Sequence, residues 1–190
     1  MARAILPAGR RHIYCFEPSA ETFAKLCEQC RGHEDVTLNN FGLGEEPGRA
    51  TLYSNGAQSG LASLTKRRLT HFGIDMNLTE TVRIDSLGCY CERSHIGYID
   101  LLKLDVEGHE LDVLSGGARM FANSAIGAVT FEFGGCDIDT RTFLQNFFYF
   151  FADHKMTIAR ITPSGYFRTL RSYREMDEQF RTANFICRKV

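Results

Sequence analysis

Three short apolar runs in this sequence each stop at a carboxylate. Phe16 is followed by Glu17-Pro18, Leu104 by Asp105-Val-Glu107-Gly108, and Phe131 by Glu132-Phe133-Gly134. A carboxylate set against an apolar run is costly to bury unless it is paired or used. Glu17 stands where an acidic residue ending a strand accepts hydrogen bonds from a ribose diol. The alternative is a carboxylate facing the positive end of the next helix. Asp105 and Glu107 are two apart, so in an extended chain they point the same way. Such a pair takes a proton, holds a cation or orients a substrate; the alternative for Asp105 is to cap the helix that follows. In open α/β sheets ligands bind outside the carboxyl ends of the strands. The three acidic strand ends therefore mark a polar site, with mutual ion pairs as the competing reading.

Other chemistry-bearing residues read as structural. Cys27-x-x-Cys30 has zinc-like spacing, and Cys89-x-Cys91 with His95 adds possible ligands. The helical phase puts Cys27 and Cys30 on an inward face, where a thiol packs as a small hydrophobe. No second pair follows at a finger-like distance, so no metal is expected. His109 beside the acidic run reads as a helix-surface residue. Lys66-Arg67-Arg68 reads as a solvated face, or as a contact for an anionic substrate.

These residues must be positioned by strands and helices in alternation. His12 to Phe16 and Asp35 to Asn39 read as short strands. Between them Ser19 is an N-cap candidate, and Glu21 to Cys30 carries Phe23, Leu26, Cys27 and Cys30 at helical spacing. Asn40 to Gly48 is turn-rich. Arg49 to Tyr53 and Glu80 to Ile84 alternate as strands do, around a polar stretch from Ser54 to Asp75. Ile99 to Leu104 is the best central strand, and a helix after Glu107-Gly108 is interrupted at Gly116-Gly117. Ile126 to Phe133 is a strand. Thr140 to His154 is the longest helix, with Phe143, Phe147, Phe150 and Phe151 at i, i+4, i+7 and i+8, an apolar face suited to the core. Met156 to Ile161 and Ala183 to Arg188 close the chain as strands. The fold class expected is α/β: a Rossmann-like, doubly wound, mostly parallel sheet with a C-terminal antiparallel strand pair.

Length and composition agree. A chain of 190 residues makes one domain, spanning 1–190. A hydrophobic share of 44% with 24% charged residues is globular, not disordered, collagenous or repetitive. Lys and Arg number 22 against 23 Asp and Glu, so no broad field invites nucleic acid or an anionic membrane. No apolar run is long enough for a transmembrane helix, and the start lacks a signal-peptide core. Seven scattered cysteines, an odd number, read as thiols in a reducing, cytoplasmic compartment.

The stretch from Ile99 to Ala118, Ile-Asp-Leu-Leu-Lys-Leu-Asp-Val-Glu-Gly-His-Glu-Leu-Asp-Val-Leu-Ser-Gly-Gly-Ala, resembles the signature of the FkbM-type S-adenosylmethionine-dependent methyltransferases. That pattern runs Lys, apolar, Asp, apolar, Glu-Gly, any residue, Glu, then Leu and Gly-Ala. Phe16-Glu17-Pro18, Asn40-Phe-Gly-Leu-Gly44, Val82 to Leu87, Phe131-Glu132-Phe133 and Asn184 to Cys187 resemble further segments of the family. The resemblance covers the chain from His12 onward. It implies an enzyme using S-adenosylmethionine to methylate a hydroxyl of a small molecule or glycan. It implies that Glu17 binds the cofactor ribose and that Asn40 and Phe41 border the adenine. It places Asp105 near the methyl and the acceptor, with Glu107 and Glu132 on the acceptor side.

One segment departs from the pattern. The family begins with a strand and a Gly-rich loop of the type Asp-Val-Gly-Ala-Asn-x-Gly, and the eleven residues before His12 hold Gly9 alone. The chain therefore reads as an N-terminally shortened member. Two expectations follow from that reading: self-association through exposed sheet edges, and, as the alternative function, a non-catalytic methyltransferase-like binding module. Choice of acceptor is expected to reside in Ser54 to Asp75 and Pro163 to Arg174.

Overall fold

A computed structural model describes residues 12–189. The expectation about the Gly-rich loop falls on residues outside that range. β1 (Ile13–Phe16) ends at Glu17-Pro18, α1 (Ala20–Gln29) follows, and β2 (Val36–Asn39) returns parallel to β1. Ser19 occupies the N-cap position without a side-chain cap. Glu80 does that work instead, its carboxylate accepting the Ala20 N–H at 2.9 Å.

β3 (Gly42–Gly44), β4 (Gly48–Ser54) and β5 (Leu78–Ser86) form a second sheet of order β3-β5-β4, with β4 antiparallel and β3 parallel to β5. α2 (Leu87–Arg93) leaves β5 through a Ser86 cap that accepts the Cys89 N–H. β6 (Ile99–Lys103) leads by way of the acidic turn to α3 (Glu110–Gly116) and α4 (Ala118–Ala122). β7 (Ile126–Phe133) is followed by α5 (Cys136–Thr140), α6 (Leu144–Asp153), β8 (Met156–Ile161), β9 (Phe167–Thr169) and β10 (Ala183–Lys189). The third sheet has the order β6-β7-β10-β8-β9.

The architecture is mixed α/β, and this corrects the expectation of one mostly parallel, doubly wound sheet. β1–β2, β3–β5 and β6–β7 are parallel, but β4–β5, β7–β10, β10–β8 and β8–β9 are antiparallel. The reason is connectivity. Crossovers through α1 and through α3–α4 return the chain parallel, β3 and β5 run parallel because β4 turns the chain twice between them, and β10 inserts between β7 and β8 running against both. The expected C-terminal antiparallel pair, β8 with β10, is present.

The main core is aromatic. Phe131 of β7 stacks on Phe147 of α6 with centroids 4.4 Å apart and rings 13° from parallel, and on Phe185 of β10 at 5.2 Å. Phe147 and Phe151 are fully buried, as their helical spacing requires. The helix expected from Thr140 is broken, however. Arg141 takes a left-handed φ of 59° and separates α5 from α6. The interruption at Gly116-Gly117 has a packing cause. A Cβ on Gly116 would lie 2.1 Å from the Gly44 carbonyl oxygen, so only glycine lets α3 meet β3. α1 buries none of its residues and Cys27 is exposed, which corrects its assignment to an inward face. No helix of the described residues is long and apolar enough to cross a membrane.

Candidate functional site

A cavity of about 890 Å³ opens between β1 and the end of β6. That volume is the scale of a small-molecule site. Glu17, Asp105 and Glu107 all line it, so the structure brings together three of the acidic residues the strand ends singled out. Leu43, Ile84 and Val113 supply apolar wall, and residues between Ser54 and Leu64 cover it.

Glu17 follows β1, and its carboxylate accepts the Ser19 N–H at 2.9 Å. Half-burial raises its pKa above the ordinary carboxylate value; the Ser19 bond opposes this and the nearby Glu80 charge adds to it. Asn40 lies behind the site, exposed, and donates to the Glu17 and Pro18 carbonyls at 2.9 and 3.3 Å. It fixes the Glu17 turn without lining the cavity. Phe41 is a core residue. Its ring meets Phe16 and Tyr90, and the Arg83 guanidinium sits 4.3 Å from its centroid. Neither Asn40 nor Phe41 is on the cavity wall: an apolar ring two residues past β2 is drawn into the aromatic cluster.

Asp105 is exposed, 56% at the side chain, and pairs with Lys103. It is not a helix cap, because His109 occupies the N-cap position of α3. Lys103 registers with Thr130 in the parallel β6–β7 pair. Two residues further along each strand, Asp105 and Glu132 come level at the same edge. Glu132 stays off the cavity wall; partial burial and the Asp105 charge raise its pKa.

The turn after β6 is not extended, so Asp105 and Glu107 are not related by strand alternation. Glu107 holds a left-handed φ of 52° and Gly108 one of 97°. For a non-glycine residue this costs roughly 1–3 kcal/mol and needs support from its surroundings. Glu110 gives that support. It is 1% exposed, and its carboxylate accepts the Val106 and Gly108 N–H groups at 3.0 and 3.1 Å. Burial pushes its pKa up to about 7 against the pull of those bonds. Asp137, wholly buried within α5, likewise reaches back to the preceding turn and accepts the Gly134 N–H at 2.8 Å, and burial pushes its pKa up to about 6.

Sequence reasoning missed Glu110, Asp137 and above all Arg67. Arg67 is not part of a solvated face. Its side chain is 9% exposed and pairs with Glu107 at 2.8 Å and with Asp139 at 3.5 Å. Burial raises the Glu107 pKa and the Arg67 charge holds it down. The exposed neighbours Lys66 and Arg68 fit the expected face. His109 is likewise drawn inward: it lines the cavity, with Nδ1 bound to Asp112 at 2.7 Å and Nε2 to Thr65 at 3.1 Å. The usable sequence signal was the Glu-Gly-x-Glu spacing, which puts one carboxylate on the turn and one beneath it. Among the described residues no group of three or more His, Cys, Asp or Glu side chains is arranged to hold a metal ion.

Comparisons with known proteins complete the picture. No curated protein matches this chain. Among solved structures, the chain is similar to the crystal structure of methyltransferase FkbM from Methylobacillus flagellatus KT at 14% identity and a TM-score of 0.47. The match covers 93% of this chain and 36% of that one, so the chain spans about a third of that protein's length. The family model described as the methyltransferase FkbM domain matches residues 2–180, nearly the whole sequence, and the chain belongs to the FkbM methyltransferase family.

Proposed function

We infer that this chain is an S-adenosylmethionine-dependent methyltransferase acting on a hydroxyl of a small molecule or glycan. The observation that carries this reading is the convergence of Glu17, Asp105 and Glu107 on one cavity at the ends of β1 and β6. The residues present fit the cofactor. Glu17 keeps one carboxylate oxygen on the Ser19 N–H and has the other for a ribose diol. A wall carrying Glu17, Glu80, Asp105 and Glu107 suits a cationic sulfonium.

S-adenosylmethionine, when bound, supplies a methyl group on a positively charged sulfur. Everything else falls to the protein, and positioning dominates such an in-line transfer. Glu17 would hold the ribose. Asp105, exposed and paired with Lys103, would meet the acceptor hydroxyl and take its proton late in the reaction. Glu107, fixed by Arg67, would shape the acceptor side together with Glu132. His109 has Nδ1 on Asp112, an arrangement that fixes its ring at the cavity wall. All seven cysteines are thiols, which suits a reducing, cytoplasmic setting.

Titration calorimetry with S-adenosylmethionine tests this reading. Binding is expected, and Glu17→Ala should weaken it by about 1–3 kcal/mol, the scale of a lost hydrogen bond to a charged group. An absence of binding, or equal binding by the variant, would overturn it.

A further inference from the structure

The segment between β4 and β5 reaches across the cavity and is tied down on both sides. It leaves β4 at Ser54 and returns at Ser63, where Tyr53 and Ser63 exchange backbone hydrogen bonds of 2.8 and 3.0 Å. Ala62 and Leu64 pack on Leu52, Val82 and Ile84 beneath it. Towards α1, Gln58 accepts from Lys25 at 2.8 Å and donates to Glu21 at 3.4 Å. Towards the acidic turn the attachment is denser. The Ser63 hydroxyl donates to the Glu107 carbonyl at 2.8 Å, and Arg67 donates to the Glu107 carboxylate at 2.8 Å. Thr65 bonds His109, and Asp139 accepts the Arg68 N–H at 3.2 Å.

Two of these bonds go to opposite ends of one residue, and that residue is Glu107 with its left-handed backbone. The segment therefore sets both where the Glu107 backbone lies and where its carboxylate points. We propose that residues 55–68 form a strap over the cavity, and that Arg67 and Ser63 are positioning residues which complete the wall at Glu107 only while the strap is down. The strap argument stands on these contacts; its link to ligand rests on the cofactor reading above.

The exposed tip at Gln58 has weaker anchors than Ser63 and Arg67, so opening starts at residues 55–62 and stops at Arg67. Protonation of Glu107 removes the nearer of the two charges that hold Arg67, leaving Asp139 at 3.5 Å. Glu107 faces Arg67 from the strap, Asp105 on its own turn, Glu132 from β7 and Asp137 from α5. The acidic neighbours favour its protonation and Arg67 opposes it. Lowering the pH into the carboxyl range should therefore loosen the strap.

Hydrogen exchange read by mass spectrometry on the whole chain decides the matter. Arg67→Met should speed exchange across 55–68 by about tenfold, between the scale of an exposed and of a fully buried ion pair, and leave β7 and β10 unchanged. Arg67→Lys should restore part of the protection. In the wild type, exchange corrected for its intrinsic pH dependence should rise as the pH falls; in Arg67→Met that rise should vanish. Ser63→Ala keeps the ion pair and should loosen the same peptides to a smaller extent. Unchanged exchange at 55–68 in Arg67→Met and Ser63→Ala would overturn the proposal. So would faster exchange spread over β7 and β10 with no rescue by lysine. Excess S-adenosylmethionine should slow exchange at 55–64 in the wild type. If that effect alone is missing, the cofactor reading fails and the strap stands.

Discussion

Raising the pH from about 5 to about 7 should weaken this fold through Glu110. The side chain is 1% exposed, and burial pushes its pKa up to about 7 from an ordinary value of 4.5. Below 4.5 the folded and unfolded chains both carry the proton. Between 4.5 and about 7 the unfolded chain releases it while the folded chain keeps it, so each step up in pH favours unfolding. Above about 7 both states are ionised and this group adds no further slope. The gap of about 2.5 in pH, at about 1.4 kcal/mol each, gives a loss on the order of 3 kcal/mol. Asp137 acts in the same direction in the window from 3.8 to about 6. Urea denaturation at a series of pH values from about 5 to about 8 measures the slope. Glu110→Gln keeps one acceptor oxygen for the Val106 and Gly108 N–H groups and cannot ionise. It should be less stable than the wild type at about pH 5 and show a flatter profile above it. A wild-type stability that is flat or rising up to pH 7 would refute this account, as would an equal slope in Glu110→Gln.

Asp105→Asn should reduce methyl transfer sharply while shifting the melting temperature little, because the side chain is 56% exposed and caps no helix; unchanged turnover with a radiolabelled methyl donor would return Asp105 to a surface role. Phe147→Ala should cost about 3–5 kcal/mol in chemical denaturation, since a fully buried ring stacked on Phe131 leaves a cavity, and a loss below about 1 kcal/mol would mean that the core repacks. β1 pairs only with β2 among the described residues, β6 only with β7, and Ile13 and Leu101 are exposed. Unpaired edges of this kind favour association, so light scattering at rising concentration should report species larger than a monomer; a monodisperse monomer at high concentration would count against it.

Local pattern was enough for most of the elements. An apolar, β-branched and aromatic run gave β7 to the residue, Ile126–Phe133, and the helical recurrence of Phe147 and Phe151 gave α6 and its buried face. These features depend on neighbours a few residues away, which a sequence displays. The acidic strand ends were legible for the same reason, since Glu17, Asp105 and Glu107 each interrupt an apolar run. β3 was not legible, because Gly42-Leu-Gly44 has turn composition and becomes a strand only by pairing with Ile84 to Ser86. The antiparallel pairing of β10 with β7 was not legible either, because β10 could pair with any earlier strand until the chain closed on itself. Phe41 shows the same limit: the groups that hold its ring in the core, Phe16, Tyr90 and Arg83, lie far from it in sequence. Arg67 is the sharpest case. In sequence it sits between two exposed cations, and the partners that bury it, Glu107 and Asp139, come from the turn after β6 and from α5. A charge is buried only where opposite charge awaits it, and that meeting exists in three dimensions alone.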